Sequence, residues 1–162
     1  VAQLATGVRT KADPSPDLAV SRPASASALR QIHISLGIDE PLVAVHPGAG
    51  AHDVLRPWPP ERFAELLNRI HDATGANALI TGGADEHRRV EAVQEKCRAP
   101  SIVYDGPDFD LFLALLSHAS LFVSADTGPL HFSSALGVPA IGLFGPHPLK
   151  PTHLLGQMAS TR

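Results

Sequence analysis

From Pro41 onward, short apolar runs alternate with stretches in which apolar residues recur every three or four positions. The runs Leu42–His46, Asn77–Thr81, Ser101–Tyr104, Leu121–Ala125 and Pro139–Phe144 have the length and flanks of buried strands. Between them the spacing predicts helices over Pro60–Thr74, from about Asp85 to Cys97, over Asp108–His118 and over Pro129–Leu136. In the first of these, Phe63, Leu66, Leu67 and Ile70 share one face and Gly75 stops the helix; in the third, Phe109, Phe112, Leu113 and Leu116 repeat the spacing. Strictly alternating strands and helices pair the strands in parallel and place helices on both faces of one sheet. The expected fold is therefore a Rossmann-like α/β domain.

The segment before Pro41 is different. Lys11 to Ser27 is rich in Pro, Ser, Ala and Asp and reads as a linker. Ser21 and Pro23 can open a helix running through Leu29, Ile32 and Leu36 to Gly37.

Composition narrows the function classes. The chain has 162 residues, 44% hydrophobic and 18% charged, which suits one globular domain. Its formal charge of −3 argues against nucleic acid as a main partner. Cys97 is the only cysteine, so neither an intramolecular disulfide nor a cysteine-built zinc site is available, and a reducing cytoplasmic setting is expected. No apolar run approaches the roughly 18 residues of a transmembrane helix. The nine histidines include no H-E-x-x-H and no Cys/His ligand cluster, so no metal site and no cofactor are expected. His33, His71, His87 and His118 read as surface residues, and Glu86–Arg89 as a solvated helix face.

In such sheets ligands bind beyond the carboxyl ends of the strands. Four loops lie there: His46-Pro47-Gly48-Ala49-Gly50, Thr81-Gly82-Gly83-Ala84-Asp85-Glu86, Ser124 to His131, and Phe144-Gly145-Pro146. Gly48 and Gly50 let backbone approach a ligand such as phosphate, or simply permit a tight turn. There is neither a P-loop nor a dinucleotide fingerprint. Arg56 precedes the stiff Pro57-Trp58-Pro59 segment and can clamp an anion, or stand exposed beside a Trp that staples the next helix. Asp126 can cap the following helix while the amides of Thr127 and Gly128 face an anion. His131, about one turn on, can add charge on the same side. Taken singly, Asp126 is a cap and His131 a packed histidine; together with the other loops they suit a pyrophosphate whose charge grows as a bond to it breaks.

These loops, together with Arg56-Pro57-Trp58-Pro59 and Leu143-Phe144-Gly145-Pro146, resemble the successive motifs of glycosyltransferase family 9, the lipopolysaccharide heptosyltransferases. The resemblance spans roughly Pro41 to Pro148, and its specific part is Asp-Thr-Gly-x-x-His together with Phe-Gly-Pro. It implies the C-terminal, donor-binding half of a GT-B enzyme, which transfers heptose from ADP-heptose or a related nucleotide-sugar to lipopolysaccharide core or another glycan, inverting and without a metal. By this similarity Thr127, Gly128 and His131 hold the diphosphate, Arg56 adds a cation where the family often has Lys, Asp126 contacts the donor sugar and Glu86 the ribose. The catalytic base belongs to an N-terminal acceptor domain. Residues 1–40 then read as connector and helix from that domain, 41–150 as the nucleotide-sugar-binding domain, and 151–162 as a truncated tail. His147 stands where Thr is usual. The full-length enzyme is expected at the cytoplasmic face of the bacterial inner membrane, held peripherally. A catalytically inactive nucleotide-sugar-binding module is the alternative.

Overall fold

A computed structural model describes residues 3–6, 19–36, 40–48 and 58–144 of the chain. In chain order the elements are β1 (Gln3–Thr6), α1 (Arg22–Leu36), β2 (Leu42–His46), α2 (Pro60–Thr74), β3 (Asn77–Thr81), α3 (His87–Gln94), β4 (Ser101–Tyr104), α4 (Phe109–Ser117), β5 (Leu121–Ala125), α5 (Gly128–Ala135) and β6 (Ala140–Phe144). A 3-10 turn at Ala84–Glu86 leads into α3.

The strands form one sheet in the order β1-β6-β5-β2-β3-β4. The five strands after Pro41 are parallel, as alternation with helices requires. Residues 3–6, which the apolar pattern does not mark as a strand, add a sixth at the edge, antiparallel to β6 with Gln3 opposite Phe144 and Thr6 opposite Ile141. Part of the segment expected to be connector thus belongs to the sheet.

Local chemistry explains the helix limits. Proline stands in the first turn of α2, where an N–H has no intrahelical use, and Gly75 ends the helix at φ 76°, donating its N–H to the His71 carbonyl. Asp108 caps α4 by accepting from the Leu111 N–H at 3.1 Å. The helix expected from about Asp85 to Cys97 is shorter: it starts as a 3-10 turn and ends at Gln94. Lys96 and Cys97 turn back onto Val93 and Gln94 through tightened three-residue bonds instead. The linker expected through Ser27 gives way to α1 at Arg22, and Ala28 is buried against the sheet.

Alternate residues of the central strands feed two cores. Leu42, Ala44, Leu79, Ile102 and Phe122 pack with α1 and α4; Val43, Val45, Ala78, Ile80 and Val123 pack with α2 and α3. With both faces covered, β2 and β3 are buried at every position, which is why they read as continuous apolar runs. Connections leave β2 toward β3 on one side while β5 lies on its other, so the carboxyl ends of β2 and β5 border a topological switch point.

Candidate functional site

A cavity of about 380 Å³ opens at that point, lined from the ends of β2, β3, β4 and β5. Its volume falls within the roughly 300–1,000 Å³ of small-molecule sites. It has an interlocked polar side, a helix N-terminus and an aromatic wall.

The polar side joins β2 to the corner after β3. The His46 ring is buried at the end of β2, with Nδ1 3.1 Å from Thr81 Oγ1 and Nε2 3.1 Å from Glu86 Oε2. The Thr81 hydroxyl also reaches the Val45 carbonyl at 3.1 Å. Glu86 Oε2 further accepts the Gly83 N–H at 2.8 Å, closing the 3-10 turn on itself. The hydrogen bond from His46, with help from the Gly83 N–H, holds the Glu86 carboxyl below its ordinary range against the opposing effect of burial.

Gly48 lies under this pair. A Cβ there would stand 2.0 Å from Glu86 Oε1 and 2.5 Å from His46 Nε2. The space a side chain would take is filled by protein, so this glycine serves the His46–Glu86 contact rather than only a ligand's approach. Gly82 has a comparable reason, since its Cβ would meet Val90 Cγ2 at 2.4 Å where α3 packs on the sheet.

Arg89 belongs to the same corner. Its Nε donates to the Pro47 carbonyl at 2.5 Å and its Nη2 to the Trp58 carbonyl at 2.8 Å. Sequence reasoning assigned Arg89 to a solvated helix face; it is half-buried and bridges the Pro47 and Trp58 carbonyls instead. Its partners are distant carbonyls, which no local pattern announces.

At the end of β5 the arrangement is more open. Thr127, not Asp126, is the N-cap of α5: its backbone is extended at φ −132° and ψ 164°, and its hydroxyl meets Ser124 Oγ at 2.7 Å rather than capping a helix amide. Asp126 is exposed. Thr127 and Gly128 line the cavity, whereas Asp126 and His131 are not among its lining residues. His131 is half-buried on α5. Arg56 lies outside the described residues. Of the six residues expected to bind the donor, Glu86, Thr127 and Gly128 therefore share one cavity. An eight-residue helix begins there, and among the described residues no N-cap side chain bonds its first amides, a setting that favours negative charge.

The aromatic wall is Tyr104, Phe109, Phe112 and Phe132. Phe109 and Phe132 meet edge to face at 5.1 Å, and Phe112 lies near Tyr104 and Phe132 at 6.4 and 6.5 Å. The Tyr104 hydroxyl donates to the Asp108 carbonyl at 2.6 Å, fixing the ring beside the α4 cap. Burial pushes the Tyr104 phenol up. Sequence reasoning read Phe109 and Phe112 as one apolar helix face; the available signal was their place in the first turn after a strand end. Among the described residues no group of three or more His, Cys, Asp or Glu could hold a metal ion, and no helix is long and apolar enough to cross a membrane.

Comparison with known proteins bears on this geometry. The chain is 28% identical over 127 residues to lipopolysaccharide heptosyltransferase 3 of Escherichia coli, covering 76% of this chain and 36% of that protein. Its structure superposes on E. coli ADP-heptose lps heptosyltransferase II with a TM-score of 0.68 and 26% identity, over 82% of this chain and 40% of the other. For E. coli heptosyltransferase WaaC with ADP the TM-score is 0.58 and the identity 25%, over 68% and 36%. The chain thus spans a little over a third of the length of the relatives it matches. The sequence model of glycosyltransferase family 9 (heptosyltransferase) matches residues 1–161, and the chain belongs to that family.

Proposed function

We propose that this chain is the donor-binding part of a glycosyltransferase, holding ADP-heptose or a related nucleotide-sugar for inverting, metal-independent transfer to lipopolysaccharide core. The observation that carries the reading is the convergence of Glu86, Thr127, Gly128 and an aromatic wall on one cavity at the switch point. The N-terminus of α5 would take the diphosphate, where its fixed dipole and amides stabilise the charge that builds as the glycosidic bond breaks. On this reading His131, one turn into α5, and the exposed Asp126, neither of which lines the cavity, would contact the diphosphate and the sugar of the bound donor. Glu86 accepts from ribose hydroxyls, and the rings of Phe109 and Phe132 offer the nucleobase an apolar contact.

The family likeness and the ADP bound by the WaaC relative support this choice of ligand. The base that activates the acceptor hydroxyl would come from an acceptor domain, with water excluded as the two close. The whole enzyme would act peripherally at the cytoplasmic face of the inner membrane. Calorimetry of the chain with ADP and ADP-sugars tests the reading: saturable binding is expected, and no heat at mid-millimolar ligand would overturn it. A transfer assay with lipopolysaccharide acceptor then asks whether this chain turns over or only binds.

A further inference from the structure

The buried His46 ring has no place in the donor contacts just assigned, although its Nε2 lies 3.1 Å from the one carboxylate among the described residues that line the cavity. We propose that His46 is a positioning residue: its Nε2–H holds Glu86 Oε2, so that Oε1 is the oxygen left to accept from the ribose hydroxyls. This rests on the nucleotide-sugar reading of the cavity.

Three observations converge on it. Oε2 is engaged twice, by His46 Nε2 and by the Gly83 N–H at 2.8 Å, which leaves the carboxylate a single orientation. The far side of the imidazole is anchored as well: with Nε2–H given to Glu86, Nδ1 accepts from the Thr81 hydroxyl 3.1 Å away, the one hydrogen of that hydroxyl going to the ring rather than to the Val45 carbonyl. Ring and carboxylate are therefore both tied to β2 and β3, the rigid centre of the sheet. Finally, Gly48 supplies the room: with any side chain there, neither Glu86 Oε1 nor His46 Nε2 could keep its place. A buried imidazole whose two nitrogens are both engaged has a defined tautomer and ring orientation, and it passes that order to the group it touches. Arg89 approaches the carboxylate from α3 and reinforces its charge, but its hydrogen bonds go to the Pro47 and Trp58 carbonyls. The orienting hydrogen bond is thus left to His46.

The test uses the full chain with ADP and inorganic pyrophosphate as probes, comparing wild type, His46→Leu and His46→Gln. His46→Leu should weaken ADP about tenfold, the worth of one hydrogen bond to a charged group, while pyrophosphate affinity stays unchanged. His46→Gln, which returns an N–H to the carboxylate, should recover most of that loss. Carbon-detected NMR titration of the Glu86 carboxyl gives a readout independent of any ligand. Its midpoint should move to higher pH in His46→Leu and return in His46→Gln. If wild type ignores ADP, the nucleotide reading falls, while the carboxyl titration still decides whether His46 governs Glu86. Should His46→Leu fail to fold, the wild-type ring spectrum decides: a bare Nε2 facing Glu86 overturns the proposal and a protonated one upholds it. An unmoved Glu86 titration, or equal loss of ADP and pyrophosphate affinity, also overturns it.

Discussion

The two corners that border the cavity are built on opposite principles. After β3, nearly every polar group is spoken for: Glu86 by His46 and Gly83, His46 by Thr81, Arg89 by two carbonyls. Gly48 and Gly82 sit where neighbouring side chains occupy the space a Cβ would need. After β5, by contrast, Gly128 is exposed, and among the described residues a Cβ there would meet nothing closer than the Phe132 ring at 3.8 Å and α5 starts without a side-chain cap. A helix start is normally satisfied by its own side chains, so one left open beside a cavity is suited to receiving an anion. On the proposed reading, the closed corner keeps geometry and the open one receives charge.

Substituting the glycines sets the two corners directly against each other. Gly82→Ala pushes a methyl into Val90 and should cost about 1–3 kcal/mol of stability, the usual range for overpacking, read as a lower urea midpoint. His131→Ala should leave the urea midpoint in place and weaken ADP by about 1.5 kcal/mol in calorimetry, if its imidazole donates to the diphosphate. Gly128→Ala should move stability by no more than about 0.5 kcal/mol, because the added methyl meets only ordinary contact. It should nonetheless weaken ADP severalfold, since that methyl stands where the anion approaches the backbone.

The smallest effect concerns pH. Because the His46 hydrogen bond holds the Glu86 carboxyl below its ordinary range, the stability it contributes is complete above that range, near pH 4.3. It is lost as pH falls through the lowered folded value, where the carboxylate must take up a proton. Urea midpoints followed from neutral to acid pH should show this decline, and Glu86→Gln should flatten it.

Much of the fold was legible because its signals are local. The residues of β2, β3, β4, β5 and α2 fall where apolar runs, the helical spacing of Phe63, Leu66, Leu67 and Ile70, and Gly75 as a stop put them. Strand β1 was not legible: Gln3–Thr6 is four residues long, and its partner β6 lies at the other end of the chain. The N-cap of α5 was misread for a related reason. Asp is the better capping residue, but Ser124 engages Thr127, and Asp126 is left at the surface.

The candidate site divides in the same way. Thr127, Gly128 and Glu86 were identifiable from motifs in single loops and do share the cavity. The occupant of the space above Gly48, the carbonyl partners of Arg89 and the aromatic wall were not, because each depends on residues that only the tertiary fold brings together.

The most direct test of the donor-site assignment is a proton–nitrogen NMR titration of the chain with ADP. The account predicts saturable shifts at the amides of Gly83, Glu86, Thr127, Gly128 and Phe132, with the α1 amides still. Shifts confined to other surfaces, or none at millimolar ADP in a folded chain, would contradict it.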